Sequence, residues 1–251
     1  MESPNSKPFI EIENLSKCFK DNWIIRNLNL SINEKEIVLI QGPSGVGKST
    51  FLRCLNYLTP FEEGQIQVGP VKLHAKMRER KEHETILEIH QQLGFIFQSF
   101  NLFPHLTVLE NITIGPTKVL GQPYEKVCKN AMSLLQRVKL EHKAHEYPAS
   151  LSGGQQQRVG IARALALHPK GVLFDEPTSS LDPSMKREII DVIEDFARDG
   201  LTMLIVTHET PFFKRIATRV IEFGPQCKII SDKKKSQTQA VEEMPTLFSA
   251  T

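Results

Sequence analysis

Residues 36–55 leave this chain few architectures to choose from. Glu36-Ile37-Val38-Leu39-Ile40-Gln41 is a compact apolar strand that runs into a glycine-rich turn, and Lys48 onward suits a helix. The turn, Gly42-Pro43-Ser44-Gly45-Val46-Gly47-Lys48-Ser49, fits G-x-x-x-x-G-K-[ST]. Average residue usage gives such a match by chance in about one chain of this length in a hundred. The strand–turn–helix setting is what makes it credible as a phosphate cradle. Its glycines let backbone N–H groups turn toward an anion, and the helix start favours negative charge. Lys48 supplies a point charge for outer phosphates, and Ser49 a hydroxyl for Mg²⁺, which prefers oxygen ligands.

The rest of the chain alternates in the same manner. Ile10–Ile12 and Leu28–Leu30–Ile32 read as strands, Leu93–Phe97 as a buried strand, and Lys76–Gln92 as a charged helix striped by Ile86, Ile89 and Leu93. From Ser99 to Tyr147 the pattern is helical, with Val127, Ala131, Leu134, Leu135 and Val138 on one face. Gln155–Leu167 predicts a helix, Gly171–Phe174 a short apolar strand, and Thr202–Thr207 another strand ending at His208. Asp182 as N-cap and Pro183 in the first turn start a helix that buries Met185, Ile189, Val192, Ile193 and Phe196 and stops at Gly200. Strands alternating with helices predict an α/β fold with a mainly parallel sheet covered on both faces.

Asp175 and Glu176 follow the apolar run Val172-Leu173-Phe174. Their carboxylates should emerge at the carboxyl end of a buried strand, where open α/β sheets bind ligands. Asp175 can hold Mg²⁺ through water. Glu176 can orient or deprotonate an attacking water, because phosphoryl transfer needs chiefly positioning and charge stabilisation.

Leu151-Ser152-Gly153-Gly154-Gln155 is the sharpest signal, expected by chance in only a few of roughly ten thousand such chains. Its serine and glycines open a helix as a second anion site. Two phosphate-binding helix starts with only one phosphate loop are most economically reconciled by two chains, arranged head to tail, each completing the other's site.

With these motifs in this order the chain resembles the ATP-binding subunits of ABC transporters over roughly residues 8–225. The resemblance implies a RecA-like P-loop NTPase core with an N-terminal antiparallel β part and an inserted helical subdomain. It divides the chain into 1–98 (β part and first half of the core), 99–150 (helical subdomain), 151–230 (signature helix and second half) and 231–251 (polar tail). Gly42–Ser49 becomes Walker A, with Thr50 beside it in the ATP site. Gln98 becomes the Q-loop, Leu151–Gln155 the signature, Val172–Glu176 Walker B, Ser179-Ser180-Leu181-Asp182 the D-loop, and His208 the H-switch.

The resemblance further implies that Phe19 stacks on adenine, and that Gln98 senses Mg²⁺ and the attacking water while its loop touches a membrane partner. It has His208 contact the γ-phosphate and Asp182 link the two sites of a dimer. Phe97–Asn111 and Tyr147–Arg158 are most similar to importers of polar amino acids, with methionine importers and lipoprotein exporters as alternatives. The expected partners are a second copy, permease subunits and, indirectly, an extracytoplasmic substrate-binding protein. The expected place is the cytoplasmic face of the inner or plasma membrane. Two positions depart from the family: Gly171 replaces an apolar strand residue, and Gly224–Ile230 replaces the usual turn and acidic strand. The latter leaves a C-terminal hairpin unsupported.

Composition narrows the classes. The formal net charge of +2 over 251 residues is too weak for a nucleic-acid partner. A DNA-acting relative would separate phosphate loop and signature by a long coiled coil, whereas about fifty residues lie between Gln98 and Leu151. Cys18, Cys54, Cys128 and Cys227 are scattered and read as reduced thiols of a cytosolic protein. Residues 1–8 are polar, without an apolar signal core, and no stretch reaches the roughly 20 apolar residues that span a bilayer. Lys233-Lys234-Lys235 reads as part of a solvated tail.

Overall fold

The structure, a computed structural model, describes residues 7–75, 79–179 and 181–235. Ser180 of the expected D-loop, the first three residues of the predicted 76–92 helix and the tail from 236 lie outside them.

In chain order the first elements are β1 (Ile10–Phe19), β2 (Asn22–Ile32), β3 (Ile37–Gln41), α1 (Lys48–Leu55), β4 (Glu63–Val68) and β5 (Val71–His74). Next come α2 (Glu79–Gln92), β6 (Leu93–Ile96), α3 (Val108–Lys118), α4 (Tyr124–Arg137) and α5 (Gly153–Leu165). The chain continues through β7 (Gly171–Asp175), α6 (Pro183–Arg198), β8 (Thr202–Val206), α7 (Thr210–Ile216), β9 (Arg219–Phe223) and β10 (Ile229–Lys234).

Two sheets result. One is antiparallel in the order β2-β1-β4-β5; the other runs β10-β9-β3-β8-β7-β6, parallel except for β10 at its edge. The expected α/β class, with an antiparallel N-terminal part, holds. The parallel strands are apolar on both faces because both faces are covered. In β3, Ile37 and Leu39 join a cluster with α3–α6, whereas Val38 and Ile40 join one with α1 and the antiparallel sheet. The period-2 alternation of a strand thus feeds two cores from one run. Each fully buried aliphatic side chain contributes about 1.5–3 kcal/mol from area removed from water.

Several boundaries differ from the sequence reading. Leu93 opens β6, as the strand reading of Leu93–Phe97 has it, and does not extend the helical stripe of Ile86 and Ile89. α5 begins at Gly153, two residues before the predicted start, because Ser152 caps it. Asp182 occupies the N-cap of α6, but its exposed carboxylate accepts no capping bond.

The C-terminal hairpin does form, a correction to the expectation for 224–230. Arg219 is buried and donates to Asp232 (2.7 and 2.6 Å), Glu36 (3.0 Å) and the Ser31 carbonyl (2.7 Å), so one guanidinium ties β9, β10 and the β2–β3 connection together. Burial pushes Glu36 up, but bonds from Lys234 and Arg219 outweigh it and hold that carboxyl below its ordinary range. Asp232, bonded to Arg219, is held low as well. Gly171 also finds its reason: a Cβ there would come within 2.9 Å of Phe9 and 3.0 Å of Leu93, so the missing side chain is the space that Phe9 occupies.

Candidate nucleotide site

β3, β8 and β7 are neighbours in the sheet, and their carboxyl ends deliver Gln41, Val206 and Asp175 to one edge. Three loops therefore meet there, led by Gly42, Glu176 and Thr207. Together with Phe19 they border a cleft of about 440 Å³ whose lining includes Ser44, Lys48, Ser49, Gln98, Glu176 and His208. A second groove of about 440 Å³ lies at the opposite, amino ends of the strands, bordered by Lys35, Lys170 and Thr202. It contains none of the motif residues.

The phosphate loop is shaped by what touches it from behind. Gly42, Gly45 and Gly47 all have left-handed φ, at 142°, 78° and 108°. A Cβ at Gly42 would collide with the Phe223 carbonyl, and one at Gly47 would lie 2.8 Å from both Cys227 Sγ and Ile24 Cγ2. Glycine is demanded twice over, by backbone conformation and by space. Lys48 is buried and its ammonium donates to the Gly42 and Pro43 carbonyls at 2.8 and 2.9 Å. Burial lowers its pKa, opposed chiefly by the charge on Glu176.

Across the cleft, Ser49 Oγ donates to Asp175 Oδ1 at 2.6 Å, and the Arg53 guanidinium stands 3.6 Å from the other Asp175 oxygen. Glu176 is also buried, with φ at 51°. Its backbone N–H donates to the Val206 carbonyl (2.9 Å) and its carboxylate accepts from the His208 backbone N–H (3.2 Å). The His208 ring nitrogen Nε2 stands 3.3 Å from the other Glu176 oxygen, with the ring exposed. Burial raises the Glu176 pKa above the ordinary carboxylate value, more than His208 and Lys48 pull it down. An exposed aromatic, Phe19, closes one end, with the Lys17 ammonium 4.6 Å from its ring centroid. Lys17 is itself held by Glu62 at 2.8 Å.

Of the expected site residues, Phe19, Ser44, Gly45, Gly47, Lys48, Ser49, Thr50, Gln98, Glu176 and His208 line this cleft. Asp175 reaches it through Ser49. Gly42, Pro43 and Val46 belong to the same loop but do not line the cleft. None of Leu151–Gln155, nor Asp182, lines it. Ser152 instead caps α5, with its Oγ accepting from the Gln155 N–H (3.3 Å) and Gln155 Oε1 accepting from the Ser152 N–H (2.9 Å). Ser152 is exposed, and its hydroxyl donates no hydrogen bond among the described residues.

Ser179 of the expected D-loop also lines the cleft. Three contributors escape the sequence reading. Ile24 lines the cleft. Cys227 supports the loop, and Asn111 organises the stretch after Gln98. The Asn111 side chain accepts from Phe103 N–H (2.8 Å) and donates to the carbonyls of Phe103, Leu106 and Thr107. An Asn at the fourth position of a helix opened by a Thr–Glu capping box is the signal that could have found it.

A cradle of left-handed glycines, a buried lysine and a carboxylate pair at the carboxyl edge of a parallel sheet define a P-loop nucleoside triphosphatase. Comparison with known proteins narrows this. The sequence model of the ABC transporter family matches residues 25–179. The glutamine transport ATP-binding protein GlnQ of Escherichia coli strain K12 is 49% identical over 213 residues, covering 84% of this chain and 86% of that protein. The general L-amino acid transport ATP-binding protein AapP of Rhizobium johnstonii is 45% identical, covering 88% and 83%. Among solved structures, the dimeric ATP-binding cassette MJ0796 in a post-hydrolysis state with ADP and Pi superposes with a TM-score of 0.77 at 34% identity, covering 90% of this chain and 98% of that one. The chain belongs to the ABC transporter family and is an ATPase of that family. Among the described residues, no helix is long and apolar enough to cross a membrane.

Proposed function

We propose that this chain is the ATP-hydrolysing subunit of an importer for polar amino acids, in which nucleotide closes a head-to-tail dimer and hydrolysis reopens it. The observation that carries the import reading is its 49% and 45% identity, over most of the chain, to proteins named for glutamine and general L-amino acid transport. The dimer reading is supported by the cleft, which gathers the phosphate loop, Glu176 and His208 but no residue of Leu151–Gln155. A second copy would bring its exposed Ser152 to the open side.

In this reading Phe19 stacks on the base, the loop Gly42–Thr50 receives the phosphates, and Lys48 exchanges its two carbonyl partners for phosphate oxygens. Ser49, Asp175 and Gln98 would hold Mg²⁺. The 2.6 Å contact between Ser49 and Asp175 already assembles oxygen donors of the kind that ion prefers. When bound, Mg²⁺ supplies charge neutralisation on the phosphates. Glu176, buried and anchored by the His208 N–H, accepts the proton of the attacking water, and His208 steadies both Glu176 and the terminal phosphate. Asp182 connects the two sites of the dimer.

Residues 99–150 serve as the helical subdomain that meets the permease beside Gln98, flanked by 1–98 and 151–230 as the two parts of the core. The protein then sits on the cytoplasmic face of the membrane, coupled through the permease to an extracytoplasmic binding protein, with no nucleic-acid partner. The test is co-purification with a permease, followed by ATPase measurement in lipid with candidate amino acids. Stimulation by one polar amino acid and its binding protein is the expected result. Stimulation only by methionine or by a lipoprotein would move the chain to another branch of the family.

A further inference from the structure

Residues 224–228, the connection between β9 and β10, depart from the family pattern and back directly onto the phosphate loop. Cys227 is fully buried and its thiol donates to the Val46 carbonyl at 3.3 Å. The same sulfur, with Ile24 opposite, occupies the space that a Cβ on Gly47 would need. At the other end of the loop the Phe223 carbonyl fills the space beside Gly42, and the Phe223 ring meets Phe51 of α1 edge-on at 5.4 Å. Gln226 and Cys227 are both left-handed, with φ of 57° and 55°, and the turn is closed by Gly224 N–H to Lys228 O (2.8 Å) and Lys228 N–H to Pro225 O (3.1 Å). Consecutive non-glycine residues in that conformation persist only where the surroundings over-determine them. Here that conformation aims Cys227 at the loop.

A phosphate loop works by turning N–H groups toward the anion, which obliges neighbouring carbonyls to point away. A carbonyl turned into the protein needs a donor there. For Val46 that donor is the Cys227 thiol. Burial pushes this thiol up to about 12, so it keeps the proton it donates.

We propose that Cys227 is a positioning residue of the phosphate loop, holding the Val46 carbonyl turned into the protein so that the N–H groups of the loop face the phosphates. The inference rests on residues 42–49 being the nucleotide-phosphate site. It is tested on the full chain by titration calorimetry with ATP, GTP and inorganic tripolyphosphate. Cys227→Ala and Cys227→Gly, which lack a donor, should bind all three more weakly by the same factor, roughly threefold to tenfold. KM for ATP should rise by that factor with kcat little changed. Cys227→Ser, which restores a donor, should recover at least half of the loss. Parental affinity in the alanine or glycine variant would overturn the proposal, as would a serine variant that loses as much as alanine. If alanine prevents folding, glycine carries the donor-less arm, since it adopts the left-handed φ of 55° without strain. Lys48→Ala separates the two levels. Its expected loss of binding, alongside unchanged Cys227 variants, sinks this inference alone, whereas parental binding by Lys48→Ala removes the phosphate-site reading and the inference with it.

Discussion

The chain builds two glycine-bearing helix starts and treats them differently. α1 opens at Gly47, left-handed and with no side chain to cap it, so its first N–H groups are left for a ligand. Everything behind it is packed: Phe223 at Gly42, Ile24 and Cys227 at Gly47, and buried Lys48 and Glu176 alongside. α5 opens at Ser152 in extended conformation and satisfies itself through the Ser152–Gln155 capping box. Its glycines are held close for packing rather than for left-handed turns. A Cβ on Gly153 would meet Phe100 at 3.2 Å and one on Gly154 would meet Met185 at 3.1 Å. One start leaves its N–H groups open within a packed cradle, while the other closes its own N-terminus with side chains.

The contrast can be broken at its chemical end by Glu176→Gln. Hydrolysis should fall by about 100-fold or more, because a positioned base is worth that much, while nucleotide binding persists. Phosphate release at the parental rate would take the base away from Glu176. Next in size are matched glycine substitutions followed by urea denaturation. Gly47→Ala should cost about 2 kcal/mol or more, from a left-handed alanine and the collision with Cys227 and Ile24. Gly154→Ala, in helical conformation, should stay within about 1 kcal/mol, since helix propensity offsets the crowding at Met185. Equal losses at both sites would erase the distinction between the two helix starts.

Mixing chains sharpens the comparison further. Ser152→Asp keeps an N-cap acceptor but, in the proposed head-to-tail dimer, would face phosphate with a negative charge. Combined equally with Lys48→Ala chains, it should recover about a quarter of parental turnover, since half the dimers are mixed and each holds one intact site. No recovery above either variant alone would argue against head-to-tail pairing. The smallest effect concerns pH. In its proposed role as base Glu176 must be deprotonated, and burial holds its pKa above the ordinary carboxylate value. Turnover should therefore decline with falling pH before an exposed carboxylate would protonate. In His208→Ala, which removes a charge that lowers that pKa, the acid limb should move to higher pH. A limb that stays in place would detach His208 from Glu176.

Much of the nucleotide side was legible because its chemistry is local. A strand, a glycine-rich turn and a helix contiguous in sequence place Lys48 and Ser49 within a few residues of one another. The apolar run before Asp175 announces a strand end, and the stripe at Val127–Val138 announces the helix face that is buried. The C-terminal hairpin was hidden for the opposite reason. β10 is mostly exposed and polar, and an ion pair to Arg219, thirteen residues before Asp232, holds it. Cys227 carried no motif at all, being joined to Val46 by tertiary contact across the molecule. Asp182 shows the limit of a local rule, since a favourable N-cap residue leaves its carboxylate uncommitted here.

Residue order alone therefore settled the class of chemistry, the alternation of strands and helices, and the cradle, because hydrogen bonding within a turn and the period of a strand act over a few positions. Which loops share a cleft was decided by the stacking of β3, β8 and β7 side by side, and no short-range rule contains that adjacency. The tertiary structure alone also decided why Gly47 tolerates no side chain and why Gly171 has none. Both answers depend on volume already taken by Cys227, Ile24, Phe9 and Leu93, residues that meet them only after the two cores have closed.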